Sequence, residues 1–346
     1  MSNIAIVIEE RAADIGNFLV GRLLPFRQKR MVGPFIFIDH MGPDNIAEPH
    51  FMDIAPHPHI GLSTLTYLFE GSIMHRDSLG NAVEIKPGAV NWMTAGKGVT
   101  HSERTPEQLR STPHDLHGLQ IWVALPKELE KMEPNFVHIE EPQLPHWTED
   151  GVSYRLIAGE IKDHRSEVPV YSPLYLIEIK AEKDATIKLG DHLYGESGLY
   201  ILHGTVHAEG QEFGPKQILV AKDAKLCEFK MEAGTSVYIF GGEPFPEQRY
   251  IDWNFVASDI ETLKIAREKW EKHEFPKVPG DDGYIPIPPV NPTLGQKKSL
   301  AALFLHLNLA IANVSAVRDY NWKDKTDENK KAGNCGQFPA FLLNKS

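Results

Sequence analysis

From Met1 to about Gly242 the chain is broken every few residues by Gly, Pro, Asn or Asp, and the runs between these breaks are short, apolar and rich in β-branched side chains. Runs such as Pro34-Phe-Ile-Phe-Ile-Asp39, Leu65-Thr-Tyr-Leu-Phe69, Gly118-Leu-Gln-Ile-Trp-Val-Ala124, Tyr175-Leu-Ile-Glu-Ile-Lys180 and Ser236-Val-Tyr-Ile-Phe240 are too short for helices of ordinary length. Turn signals such as Leu79-Gly-Asn81 and Lys86-Pro-Gly88 separate them. Many short strands joined by tight turns can bury an apolar face only by packing sheet on sheet, as a sandwich or a barrel, so the expected class is all-β with a few short helices.

The strand pattern runs twice. Phe69-Glu-Gly71 is echoed by Leu202-His-Gly204 at an offset of 133 residues, and Met93-Thr-Ala-Gly96 by Met231-Glu-Ala-Gly234 at an offset of 138. A repeat of that length in a chain of 346 residues points to a duplicated domain. The stretch from Pro126 to Pro145, rich in Pro and Glu, reads as the connection. The clearest helix is Ser258 to Glu271, with Ser258 as N-cap, Glu261 completing a capping box, and Ile260, Leu263, Ala266 and Trp270 on one face. Pro276 and Pro279 end it. The last segment, 289–346, differs in charge. It holds eight Lys/Arg against four Asp/Glu, whereas the preceding residues hold 28 against 43. Leu300 to Val317 within it could form an apolar helix, and the polar end reads as loose chain.

A net charge of −11 argues against non-specific nucleic-acid binding. Two cysteines, Cys227 and Cys335, make no disulfide framework and no CxxC motif, which fits a reducing compartment. The first residues carry Glu9 and Glu10 and no apolar leader. The longest apolar stretch is interrupted by His306, Asn308 and Asn313, so no membrane span is expected. The expected location is the cytoplasm.

The chemistry lies in two pairs. Ala55-Pro-His57-Pro-His59-Ile-Gly61 sets two histidines at i and i+2, which a strand points to the same face. Pro56 and Pro58 cannot donate to a ladder, so this strand is expected at a sheet edge or mouth. His101 and Glu103 repeat the spacing in Gly96-Lys-Gly-Val-Thr-His101-Ser-Glu103. Two such strands side by side would present three imidazoles and one carboxylate, a donor set suited to a first-row divalent metal such as iron with coordination positions left open. Structural zinc sites are closed by four ligands and often use Cys. His50, His75, His114, His138, His146, His164 and His273 lack a convergent partner and read as surface groups. His40, after the apolar run at 35–38, is a candidate for lining the metal pocket and supporting a ligand, with His117 a weaker one.

Pro56-His57-Pro58-His59-Ile60-Gly61, Glu70-Gly71, Thr94-Ala-Gly96-Lys-Gly98-Val-Thr-His101-Ser102-Glu103 and Pro34-Phe-Ile-Phe-Ile-Asp39-His40 together resemble the pirin family of the cupin superfamily. Pro246-Glu-Gln-Arg-Tyr-Ile-Asp-Trp-Asn-Phe255 and Phe275-Pro-Lys-Val-Pro-Gly-Asp-Asp282 look like the C-terminal signature of its bacterial members, so the resemblance spans roughly residues 5 to 288. It implies a bicupin of two tandem cupin-type β-barrels. Residues 1–130 would form a metal-binding barrel, 131–288 a barrel without metal ligands plus the helix, and 289–346 an atypical tail. His57, His59, His101 and Glu103 would hold one Fe(II) or another first-row metal, with Glu103 also catalytic. The implied activity is that of a quercetin 2,3-dioxygenase, which opens the central ring of a flavonol with dioxygen and releases carbon monoxide. The partners would be a phenolic small molecule and dioxygen, with room for a protein partner and none for direct nucleic-acid or membrane contact. A eukaryotic member implies the alternative, an iron-binding regulatory or redox-sensing protein that binds a partner without turnover. Carrying the two offsets into the second half places Gly190 and His192 opposite His57 and His59, and Ile239 and Gly241 opposite His101 and Glu103, too few ligands for a second metal.

Overall fold

A computed structural model describes residues 4–15, 18–221 and 228–289; the expected helix at 300–317, both cysteines and almost the whole of the tail lie outside the described residues. The first barrel takes β2 (Arg11–Asp14), β3 (Leu19–Leu24), β4 (Phe35–Ile46), β5 (Asp53–His59), β6 (Leu62–Glu70), β7 (Ile73–Asp77), β8 (Ala82–Ile85), β9 (Val90–Thr94), β10 (Val99–Arg104), β11 (His114–Ala124) and β12 (Asn135–Ile139). The second takes β1 (Ile4–Glu9), β13 (His146–Glu149), β14 (Val152–Ile161), β15 (His164–Arg165), β16 (Leu174–Ala181), β17 (Ala185–Ile187), β18 (Glu196–His203), β19 (Val206–Ala208), β20 (Gln211–Phe213), β21 (Gln217–Ala221), β22 (Phe229–Met231) and β23 (Ser236–Gly242). After them come a two-stranded ribbon, β24 (Tyr250–Asp252) with β25 (Phe255–Ala257), and helix α1 (Ile260–Glu271).

Each barrel is a large sheet facing a small one, and the two barrels share one topology. The large sheets run β12-β9-β6-β11-β4-β3-β2 and β1-β21-β18-β23-β16-β14-β13; the small ones run β5-β10-β7-β8 and β17-β22-β19-β20. Strand for strand the orders match, so the fold is a tandem duplication. The chain's first strand, β1, lies on β21 of the second barrel and ties the two halves together.

The same match corrects the sequence offsets. The Phe69/Leu202 echo is real: β6 and β18 are equivalent, and Gly71 and Gly204 end them with φ of 79° and 81°. The Met93/Met231 echo is coincidence, because Met93 lies on β9 and Met231 on β22, which are not equivalent. The partners of β5 and β10 are therefore β17 and β22, not the positions around His192 and Ile239. Their paired residues are Ala185 with Met231, Thr186 with Lys230 and Ile187 with Phe229. None of these is a metal-binding side chain.

Alternation along the strands decides what each face does. On β11, Leu119, Ile121 and Val123 face outward into a core shared with Leu174, Leu176, Tyr238 and Phe240 of the second barrel. Gln120 and Trp122 face inward. The large sheets thus pack back to back with both faces buried, which explains why their strands read as unbroken apolar runs. The inside of the second barrel is filled by its own apolar cluster, including Tyr175, Ile177, Leu199, Val237 and Ile239. The inside of the first is not filled: an apolar cluster around Val20, Met41, Leu68 and Leu116 and another with Phe37, Leu62 and Trp122 leave a cavity with polar groups in its lining.

Helix α1 starts one residue later than its pattern suggests. Asp259, not Ser258, is the N-cap, its carboxylate accepting from Thr262 N at 2.8 Å. Ser258 instead donates to Glu130. Among the described residues no helix is long and apolar enough to cross a membrane.

Candidate metal centre

β5 is an edge strand, as its two prolines require, and pairs only with β10. His57 lies opposite His101; β5 then carries an extra residue, so that Glu103 lies opposite Ile54. The bulge leaves the histidines facing inward. One nitrogen from each of His57, His59 and His101 lies within 4.8 Å of the others, the only such group of three among the described residues. The ring centroids stand 4.3 to 5.1 Å apart, and Nε2 of His59 lies 3.1 Å from Nε2 of His101. Glu103 stands outside this group, although it lines the same cavity as His57 and His59; its carboxylate accepts from Thr66 Oγ1 at 3.3 Å.

Hydrogen bonding on the far side of two rings fits them for a cation. Nδ1 of His57 lies 2.9 Å from the carbonyl of Ala55, and Nδ1 of His59 lies 3.1 Å from that of Asn254. A carbonyl only accepts, so each Nδ1 carries the proton and each Nε2 lone pair faces the centre. Burial keeps the rings neutral, as ligands must be. It pulls His57 down to about 4, and His59 and His101 well below the ordinary histidine value. Burial pushes Glu103 above the usual carboxylate range. A divalent cation is what would reverse that penalty. The donor set and its free lone pairs therefore fit a first-row metal.

The centre opens into a cavity of about 480 Å³. Phe37 and Trp122 stack at 4.0 Å along one wall, and Trp122 meets His59 edge-on. The Arg22 guanidinium lies 4.6 Å above Phe37 and grips Asp39 through two bonds of 2.9 and 2.8 Å. Gln120 and Asn254 add polar edges, and Ile285, Pro286 and Pro288 border it from the C-terminal side. That strap is pinned by Ile285 N to the Pro56 carbonyl at 3.1 Å and by a bidentate Arg104–Asp281 pair at 2.6 and 2.8 Å.

Three expectations about histidines need correction. His40 and His117 do not reach this cavity. On β4, Asp39 and Met41 face it and His40 faces the other way, pairing with Glu10 at 3.0 Å and with His117 at 2.8 Å. His75 is not a surface group but is 3% exposed, stacked on Phe136, with Nδ1 3.4 Å from Nδ1 of His101. The sequence held a signal for it: His75 and Asp77 have the same i, i+2 spacing as the ligand pairs. Arg22 had none, and Trp253 and Asn254 lay in the C-terminal motif at 246–255 with nothing to tie it to the centre, since they come from elements distant in the chain.

Two stacked cupin-type barrels with three converging imidazoles inside the first place this chain among the bicupins. The Pirin family profile matches residues 17–123, and the "Pirin C-terminal cupin domain" profile matches residues 175–276. The chain belongs to the pirin family. It is 46% identical over 289 residues to a "Pirin-like protein" of Caulobacter vibrioides, covering 82% of this chain and 99% of that one. A crystal structure titled as a quercetin 2,3-dioxygenase from Acinetobacter baumannii matches with a TM-score of 0.77 at 37% identity, over 84% of this chain and 97% of the other. A second structure of that title and organism matches with a TM-score of 0.71 at 25% identity, over 80% and 98%.

Proposed function

We propose that this protein is a metal-dependent dioxygenase that opens the ring of flavonols such as quercetin, with one metal, Fe(II) as the leading candidate, held by His57, His59, His101 and Glu103. The observation that carries the reading is the convergence of three neutral imidazoles at the inner end of an aromatic-walled cavity. The titles of the Acinetobacter baumannii structures support the substrate class.

When bound, the metal supplies Lewis-acid activation of a phenolic hydroxyl and the redox chemistry that dioxygen needs. The chain's own residues do the rest. The Phe37–Trp122 wall offers a flat surface to planar rings, and Gln120 and the Arg22–Asp39 pair offer hydrogen bonds to hydroxyl groups. Glu103, which lines the same cavity as His57 and His59, would accept the hydroxyl proton. The strap at Ile285–Pro288 limits access of water to the cavity. The partners are then a phenolic small molecule and dioxygen, and the expected location is the cytoplasm.

The test is incubation of the iron-loaded protein with quercetin in air and without oxygen. Carbon monoxide release that depends on oxygen and on His101 supports the reading. No turnover by fully loaded protein sinks it and leaves the iron-binding regulatory alternative.

A further inference from the structure

Polar residues on the inner face of the first barrel's large sheet stand in one cross-strand row. Arg22 on β3 lies opposite Asp39 on β4, Asp39 opposite Gln120 on β11, and Gln120 opposite Thr66 on β6. Thr66 ends the row at the candidate metal centre, its Oγ1 lying 2.9 Å from Gln120 Oε1 and 3.3 Å from Glu103 Oε1. At about 4.8 Å between neighbouring strands, Asp39 stands roughly 10 Å along the row from Thr66, the span of a substituted two-ring molecule. A planar phenol with its reacting hydroxyl at the histidines would therefore set its far end against Arg22 and Asp39.

Four charged side chains among the described residues line this cavity: Asp14, Arg22, Asp39 and Glu103. Arg22 is the only cation of the four, and Asp39 occupies it. The pair is bidentate, Nε to Oδ1 at 2.9 Å and Nη2 to Oδ2 at 2.8 Å, and the Asp39 side chain is 5% exposed. Burial pushes the Asp39 carboxyl up and the Arg22 bonds pull it back; a guanidinium across two bonds of this length keeps it a carboxylate. Phe37 covers one face of the guanidinium. The N–H groups of Arg22 that Asp39 leaves over can still donate to a hydroxyl, but the charge is already neutralised. An arriving carboxylate would lose its hydration, meet no unpaired cation and face carboxylates instead. We propose that Asp39 is a specificity-determining residue that masks Arg22, so that the far end of the cavity accepts uncharged hydroxylated aromatics and rejects aromatic carboxylates.

This inference rests on reading the cavity as a site for planar phenols, and the experiment separates the two. Dihydroxynaphthamide and dihydroxynaphthoate share one shape and the same two hydroxyls, and differ in charge at the far end. The full-length protein is titrated with each by calorimetry at neutral pH with air excluded. Any cation in the centre meets the same hydroxyls in both probes, so the ratio of affinities reads the far end. Wild-type protein should bind the amide about 10-fold or more tightly than the carboxylate. Asp39→Asn keeps the shape and one acceptor for Arg22 but unmasks the charge, and should tighten the carboxylate about 10-fold with the amide little changed. The double variant Arg22→Met with Asp39→Asn removes mask and charge together and should return the ratio to the wild-type value. It also tests the masking should Asp39→Asn alone fail to fold. A wild type that binds both probes alike, or neither, overturns the inference. So does an Asp39→Asn variant with unchanged carboxylate affinity, or a double variant whose ratio departs from that of wild type. An iron-loaded protein that selects the amide yet leaves quercetin intact in air loses the dioxygenase reading and keeps this one.

Discussion

Gly61, two residues past His59, couples the backbone to the candidate metal centre and makes Gly61→Ala an informative perturbation. Its φ is +67°, a conformation that costs an L-residue about 1–2 kcal/mol. A Cβ there would sit 2.0 Å from the carbonyl oxygen of Val256, so β25 would have to retreat by roughly 1.5 Å to reach an ordinary contact distance. That retreat stretches the Val256 N to Ile60 carbonyl bond, now 3.2 Å, worth about 1 kcal/mol. The total is about 3 kcal/mol. At about 2–4 °C per kcal/mol for domains of this size, the thermal midpoint should fall by roughly 10 °C. The same shift carries Asn254 away from Nδ1 of His59, so metal affinity should drop about 10-fold or more. Gly210→Ala is the control: its φ is +76°, but nothing lies within 4 Å of the added Cβ, so it meets strain without the clash. Calorimetry and metal titration of both variants give the answer. The reasoning fails if Gly61→Ala melts no lower than Gly210→Ala and binds metal as wild type does.

Replacing His57, His59 or His101 with Ala should lower metal content sharply by elemental analysis while the thermal midpoint of the metal-free protein stays nearly unchanged, since the shared core between the barrels does not include them. Full occupancy in any of the three would remove that residue from the ligand set. The fully loaded protein should hold one metal per chain, because β17 and β22 carry no ligands; two anomalous peaks in a crystal would contradict this. Asp281 should stabilise the strap in a pH-dependent way. Burial alone would raise its pKa, but hydrogen bonds from Arg104 and its neighbours hold it at about 2 against 3.8 in a free chain. Its contribution is therefore complete above about pH 4 and lost as pH falls toward 2. A shift of that size is worth at most about 2 kcal/mol, and solvent access to the pair trims it to about 1. The midpoint difference between wild type and Asp281→Asn should shrink across that window, and a constant difference would show that the ion pair is not its cause.

The candidate ligands were legible because a strand turns an i, i+2 spacing into a shared face, and Pro56 and Pro58 marked that strand as an edge. The same rule applied to His75-Arg-Asp77 would have found the group behind His101, but a single histidine next to charged neighbours looks like surface. His40 misled for a related reason. Its run, Phe35-Ile-Phe-Ile38, is apolar on both sides, so nothing local says which face holds the cavity. That is decided only when the two large sheets pack back to back. The duplication was visible, yet fixed offsets could not align it, since loops of different length shift the register from strand to strand. Arg22, Asn254 and Ile285 reach the cavity from elements brought in by tertiary structure alone.

The different fillings of the two barrels follow from that architecture. A barrel that keeps a cavity of about 480 Å³ and buries three histidines and a carboxylate gives up apolar contacts that would otherwise hold its sheets together. In this chain those contacts come from the other side. The outer face of the large sheet, through Leu65, Trp92, Leu119, Ile121 and Val123, is buried against the second barrel, and β1 pairs with that barrel's β21. The second barrel keeps a solid apolar interior and so acts as a rigid backing. With the large sheet held from outside, its inner face is free to carry the polar groups that chemistry needs.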